Sequence, residues 1–197
     1  MSEEPPFFEE AIRQVEERLG NLFGAQCNIS VHVFLDDRLA DEVHRIDSNM
    51  FRDELTYSID ELRKKGEKRG FVLMVVRSGM EPVAFFFGYE DPDFEGSYYG
   101  DTLASVVEGK GIGSSLFSLV HIYCYENGYT HFSCHTEEMD EKGRRLRDWY
   151  LGAGMEYLGT HPKEGDLMRV KLTLQHASWM HKRFIMGEKQ LQKPAVG

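Results

Sequence analysis

The stretch Asp101–Tyr129, DTLASVVEGKGIGSSLFSLVHIYCYENGY, decides how the rest of the chain is interpreted. It reads as a strand that ends at Val107, three glycines at every second position (Gly109, Gly111 and Gly113), and an apolar helix opened by two serines. Glycine lets the backbone approach a ligand closely, and the first N–H groups of a helix have no intrahelical partner. The pattern therefore predicts a site for an anionic group such as phosphate.

Other phosphate-binding patterns fit this stretch less well. The spacing is G-x-G-x-G in the middle of the chain, whereas a dinucleotide site has G-x-G-x-x-G early in an alternating β-α series. The sequence also lacks G-x-x-x-x-G-K-[ST], so a nucleotide triphosphatase is not indicated. A tight strand-to-helix connection that simply needs glycine remains the alternative.

Composition bounds the class of protein. The chain has 197 residues, 41% of them apolar, enough for one domain with extensions. Its net charge of -10 argues against a nucleic-acid binder. The odd number of cysteines (Cys27, Cys124 and Cys134), with no C-x-x-C pair, predicts neither a disulfide framework nor a zinc site. With no signal-like N-terminus and no membrane-length apolar run, we expect a soluble cytoplasmic protein.

The order of predicted elements gives an α/β fold class. Residues 1–27 form an amphipathic N-terminal helix extension, residues 28–174 form the main domain, and residues 175–197 form a polar C-terminal tail whose end, 189–197, is expected to be disordered. The domain reads β-α-α-β-β-β-α-β-α-β-β. Hairpins in its first half predict antiparallel pairing, and the strand-helix-strand unit predicts a parallel crossover.

This order and two motifs resemble the GNAT superfamily of N-acetyltransferases over about Ile29–Leu174. The family's acyl-CoA signature, R/Q-x-x-G-x-G/A, corresponds here to EGKGIG, Glu108–Gly113. A second family marker corresponds to WYLGAGM, Trp149–Met155. The resemblance implies a mixed, mostly antiparallel sheet with helices on both faces and with the fourth and fifth strands splayed apart.

The resemblance also implies acetyl-CoA as co-substrate and no metal. Backbone groups of the fourth strand, at Ser105, Val106 and Val107, would hydrogen-bond the pantetheine arm. The pyrophosphate would be held by the turn and the first helical turn: Gly109, Lys110, Gly111, Ile112, Gly113 and Ser114. The implied reaction is direct attack of an amine, small or on a protein, on the thioester.

Three residues are candidates for proton transfer in that reaction. Tyr150 is the expected general acid, since a phenol is protonated at neutral pH and can donate to a thiolate; the alternative is a core aromatic. Asp101 is the first candidate for the base, although it could equally be a solvent-facing residue at a strand edge. His135 is the rival base because its ordinary pKa suits the task, but it could also be a satisfied polar residue at a strand end.

Two departures from the family pattern keep other functions open. Glu108 stands where the family has a basic or amide residue, and the loop before the signature is short, so the chain could be a catalytically degenerate CoA-binding or regulatory module. Lys110 can restore positive charge. A third hypothesis is an interaction protein, with a homodimer contact made by the N-terminal helix and by apolar residues of the C-terminal segment: Trp179, Met180, Phe184, Ile185 and Met186. The sequence does not identify the acceptor amine.

Overall fold

A computed structural model describes residues 7–140, 142–188 and 193–194. The helices are α1 (Phe8–Phe23), α2 (Asp37–Met50), α3 (Ile59–Gly66), α4 (Ile112–Glu126), α5 (Leu146–Gly152) and α6 (Leu174–Met180), with a 3-10 turn at Asp53–Leu55 and a π-helical turn at His181–Ile185. The strands are β1 (Cys27–His32), β2 (Val72–Ser78), β3 (Glu81–Glu90), β4 (Ser97–Ser105), β5 (His131–Thr136), β6 (Glu156–His161) and β7 (Gly165–Lys171).

The strands of the described residues form one sheet in the order β1-β2-β3-β4-β5-β7-β6. Every neighbouring pair is antiparallel except β4 and β5, which are parallel and connected by α4. A parallel pair needs such a crossover, because the chain must return to the same end of the sheet. The predicted mixed sheet is therefore confirmed.

Helices cover both faces of the sheet and produce two cores. On one face α1, α4 and α6 pack together, with Leu19, Leu116 and Met180 fully buried. On the other face α2 and α3 bury Leu39 and Leu62 against the sheet. The central strands β2 and β3 are near-continuous apolar runs because both of their faces are covered.

Strands β4 and β5 separate after a short paired segment. Their ladder joins only Ser97–Gly100 to His131–Cys134, and β4 then continues to Ser105 alongside β3 alone. A register shift opposite Phe87 and Gly88 leaves Asp101 as the extra residue of a β-bulge at the point of separation. Bulges bend a strand and re-aim its side chains. The predicted splay of the fourth and fifth strands is thus present.

The C-terminal segment differs from the predicted polar tail. Thr173 caps α6, which packs on α4 and buries Trp179 and Met180 in the α1 and α4 core, together with Ile185 of the π-helical turn. These three side chains are therefore not available for the predicted dimer contact; Met186 is exposed. The expectation of disorder concerns residues 189–197, of which only 193–194 are described.

Candidate active site

One continuous cleft passes through the gap between β4 and β5. Its volume is about 1420 Å³, and it joins the two faces of the sheet. At one end, here called the turn end, it is lined by residues 107–109 and 111–114 with Phe117 and Tyr150; Lys110, which was predicted to bind the cofactor, is not part of the lining. At the other, here called the tyrosine end, it is lined by Tyr57, Tyr89 and Tyr99 together with Lys65 and His135. All three predicted catalytic residues contact this cleft.

The turn end has the backbone geometry of an anion site. Gly109 and Gly111 have φ values of 72° and 74°, a region that residues with a Cβ atom rarely adopt. Gly111 is the N-cap of α4, and no side chain of the described residues caps this helix. The N–H groups of Ile112, Gly113 and Ser114 are therefore left for a ligand or water, at the positive end of the helix dipole.

Glu108 is held at the mouth of the turn end. Its carboxylate accepts a hydrogen bond from Lys142 Nζ at 2.6 Å and lies 3.6 Å from the Arg144 guanidinium. Hydrogen bonding to Lys142 lowers the pKa of Glu108. Lys142 and Arg144 also line the cleft, so these two neighbouring cations balance the negative charge of Glu108.

Some of the backbone N–H and C=O groups at the end of β4 already form hydrogen bonds within the protein. Val106 donates its N–H to Val83 O on β3, at 2.9 Å. The hydroxyl of Ser105 donates to Val107 O and accepts from Val107 N–H. Because alternate residues of a strand direct their backbone groups to opposite neighbours, Leu103 and Ser105 face the open side. Val106, predicted to bind the cofactor, instead faces β3.

Tyr150 lies half-buried in the cleft between the glycine turn and β5. Its ring contacts Phe117 edge-on, with centroids 5.5 Å apart. Burial first, and the neighbouring thiol second, raise the pKa of Tyr150 above its ordinary value. The phenol is therefore protonated at neutral pH and can act as a proton donor.

Asp101 is surrounded by hydrogen-bond donors. Its side chain is 2% exposed and pairs with Lys65 at 2.6 Å. One carboxylate oxygen also accepts from Tyr57 at 2.9 Å and from Thr102 at 3.1 Å, and the other from Tyr89. A carboxylate has about four lone-pair positions, all taken here. Asp101 therefore holds the tyrosine end together and is not a solvent-facing residue at a strand edge, whereas its role as the base stays a prediction.

His135 has the contacts of a residue that can exchange a proton. Its Nδ1 lies 3.1 Å from the Tyr99 hydroxyl, and its Nε2 lies 3.5 Å from a carboxylate oxygen of Glu164. Its side chain is 18% exposed, in the cleft. Burial raises the pKa of Tyr99, so the phenol stays neutral, and its oxygen can accept from Nδ1–H; in that tautomer Nε2 keeps its lone pair for a proton, beside the Glu164 carboxylate.

Comparison with known proteins identifies the fold. No protein-family model matches the chain, and no curated protein matches its sequence. Solved structures do match. An aminoglycoside 6′-N-acetyltransferase in complex with coenzyme A aligns with a TM-score of 0.61 and 13% identity, over 74% of this chain and 97% of its own. The ribosomal-protein-S18-alanine N-acetyltransferase of Escherichia coli aligns with a TM-score of 0.59 and 9% identity, over 74% and 94%.

The chain has the GNAT fold. The PaiA N-acetyltransferase of Thermoplasma acidophilum, solved with coenzyme A, has a TM-score of 0.57 and 11% identity, over 73% of this chain and 99% of its own. Each alignment includes almost all of the solved structure but leaves about a quarter of this GNAT-fold chain outside the superposition. At these identities, the likeness concerns the fold alone.

Several residues of the site had no sequence signal. Tyr57 and Lys65 reach Asp101 from the region of α3, and Tyr89 reaches it from β3. Alternation along β3 and pairing with β4 could have indicated Tyr89; nothing in the spacing indicated the other two.

Among the described residues no group of three or more potential ligands is placed to hold a metal ion, and no helix has the length and apolar character to cross a membrane.

Proposed function

We propose that this GNAT-fold protein is an acyl-CoA-dependent N-acyltransferase that transfers acetyl from acetyl-CoA to a primary amine. One observation carries the proposal: the cleft connects an uncapped glycine turn on one face of the sheet to a histidine and tyrosine site on the other, with Tyr150 between them. A two-substrate transfer needs such a passage, because the reactants must meet while their remaining parts occupy separate regions.

The residues of the turn end fit the phosphates and the arm of a CoA thioester. The backbone N–H groups of Gly109–Ser114 would hold the diphosphate, and Lys142 and Arg144 lie beside it in ion pairs with Glu108 and Asp140. The backbone of Leu103 and Ser105, on the open side of β4, would take the place of a neighbouring strand for the pantetheine amides. Bound acetyl-CoA supplies an activated thioester carbonyl.

The protein's own groups would move two protons. His135 would take the proton that the attacking nitrogen loses, with Tyr99 and Glu164 holding the ring in position. Tyr150 would give a proton to the sulfur as the carbon–sulfur bond breaks. The nitrogen–carbon bond forms in the same exchange, so the net change is amine plus thioester to amide plus thiol.

Calorimetric titration with CoA tests the binding half of the proposal. We expect saturable binding to the full chain and at least tenfold weaker binding to Gly109→Ala, because a side chain there cannot keep the turn's positive φ without strain. Gly128→Ala is the matched control, since Gly128 has φ 81° at the opposite end of α4 and equally open surroundings. No binding at millimolar CoA, or equal losses in the two variants, would refute the proposed site.

A CoA-binding module without catalysis is the second candidate, and Glu108 beside the turn is the observation that favours it. Release of CoA thiol from acetyl-CoA, followed over a panel of small amines and peptide N-termini, separates the two. Amine-dependent release that is lost in Tyr150→Phe supports the transferase. Tight binding with no release above the background with any amine supports the module.

A further inference from the structure

The guanidinium of Arg18 lies directly behind the glycine turn, on the side away from the cleft. Arg18 belongs to α1, yet its Nη2 donates to Gly111 O at 3.4 Å and to the Ser115 hydroxyl. Its Nη1 donates to Phe184 O at 2.7 Å and to Ile185 O at 3.3 Å. One side chain thus connects α1, the N-terminus of α4 and the C-terminal π-helical turn.

The charge of Arg18 has no counter-ion among the described residues. No carboxylate of that part of the chain lies within 4.0 Å of the guanidinium, and all its partners are carbonyl or hydroxyl oxygens. Burial lowers the pKa of Arg18, but arginine still remains protonated at neutral pH. A half-buried positive charge is therefore fixed beneath the turn.

The position of this charge matters for any anion on the turn. A Cβ atom built on Gly111 would lie 3.7 Å from Arg18 Nη2, so the guanidinium is adjacent to the helix N-cap itself. Two of the cations that line the turn end, Lys142 and Arg144, are already engaged by Glu108 and Asp140. Arg18 is thus a positive charge close to the turn that no carboxylate of the described residues neutralises.

We propose that Arg18 is a positioning residue for phosphate binding, acting through the glycine turn. It fixes the carbonyl of the N-cap residue Gly111, so that the free N–H groups of α4 point into the cleft, and its charge raises the affinity of the turn for a diphosphate. The inference rests on the proposed function, since it assigns α1, outside the main domain, a part in binding the co-substrate.

The test separates the contribution of the Arg18 charge to phosphate affinity from the contribution of its hydrogen bonds. Arg18→Gln keeps donors for the carbonyls but removes the charge, whereas Arg18→Lys keeps the charge. Titration of the full chain with CoA, and separately with inorganic pyrophosphate, should show about tenfold weaker binding for Arg18→Gln and a change of no more than about threefold for Arg18→Lys. The loss should shrink between 0.05 M and about 1 M salt, where the Debye length is about 3 Å.

Arg13→Gln is the matched control, because Arg13 lies on the same helix, is 72% exposed and pairs with Glu10. It should leave both affinities unchanged. Equal losses in Arg18→Gln and Arg18→Lys, or a loss that salt does not alter, would show that Arg18 only braces the fold and would overturn the inference.

Two further outcomes separate this inference from the proposed function. If the wild type binds pyrophosphate in an Arg18-dependent way but does not bind CoA, the inference stands and the acyl-CoA proposal fails. If it binds neither ligand, both fail. Should Arg18→Gln not fold, as judged by circular dichroism, the folded Arg18→Lys variant decides: near wild-type, salt-sensitive affinity supports the role of charge, and a tenfold loss refutes it.

Discussion

Lowering the pH from 7 to 5 should destabilise this protein through a pair of buried histidines between α4 and α6. His121 is completely buried and His176 is 4% exposed, and His121 Nδ1 lies 2.8 Å from His176 Nε2. The rings of Phe117 and Phe132 pack on His121, and Trp179 packs beside His176. One of these two facing nitrogens must accept the hydrogen bond, so His121 Nδ1 and His176 Nε2 cannot both carry a proton.

The size of this loss in the free energy of unfolding follows from the shift in the pKa of His176. Burial lowers that pKa from 6.5 to about 4, and burial also lowers the pKa of His121. The unfolded chain therefore binds protons that the folded chain does not, and stability is lost as the pH falls through 6.5 toward 4. For His176 alone the free energy of unfolding decreases by about 2 kcal/mol between pH 7 and pH 5, and His121 adds to this.

Urea unfolding followed by circular dichroism at pH 7 and pH 5 measures the effect. The double variant His121→Asn with His176→Gln replaces the two facing ring nitrogens by amide groups at similar positions and cannot titrate. Its stability should fall between the two pH values by at least about 2 kcal/mol less than that of the wild type. Groups elsewhere, such as Asp47, cancel in this comparison because they are present in both proteins.

His161→Gln is the control, since His161 is an exposed residue of β6 and its replacement should leave the wild-type pH dependence intact. An equal pH dependence in the wild type and in the double variant would refute the reasoning. It would mean that the pair is already protonated in the folded protein or that water reaches it.

Three more predictions follow from the site and the sheet. Glu108→Gln should raise the affinity for CoA severalfold in calorimetry, because it removes a carboxylate beside the turn and frees Lys142, whereas Glu138→Gln, outside the cleft, should not. Tyr150→Phe should lower kcat by about a hundredfold with little change in KM for acetyl-CoA, and Tyr157→Phe should leave both unchanged. Gly88→Ala should cost about 2 kcal/mol in urea unfolding, because the new Cβ would lie 2.5 Å from a backbone oxygen of β4; unaltered stability would contradict that packing.

The spacing of apolar residues and the positions of glycine-containing turns were enough to predict most of the architecture. The apolar runs of β2 and β3, the glycine turn before α4 and the helical stripe of α1 are all local signals, and each lies in the element that it predicted. These signals work because burial on one or two faces of an element determines which positions must be apolar. The parallel pairing of β4 with β5 followed from the length of the crossover.

The role of Asp101 could not be predicted, because it depends on partners distant in sequence. Its position in β4 was predicted correctly, but a bulge turns its side chain toward Lys65 and Tyr57, which lie 36 and 44 residues earlier in the chain. Spacing along one strand carries no information about such contacts. The same is true of the C-terminal segment, where apolar residues such as Trp179 indicate burial but not whether the covering surface belongs to this chain.

The network around Asp101 also bears on which group can act as the base. A proton added to Asp101 would displace one of its donors, the Lys65 ammonium or a hydroxyl of Tyr57, Tyr89 or Thr102, at a side chain that is only 2% exposed. Each lost bond to a charged group costs about 1.5–3 kcal/mol. Protonation of His135 displaces no ammonium and brings a positive ring next to Glu164, 3.5 Å away. The arrangement of donors therefore supports the proposal that His135, rather than Asp101, accepts the proton.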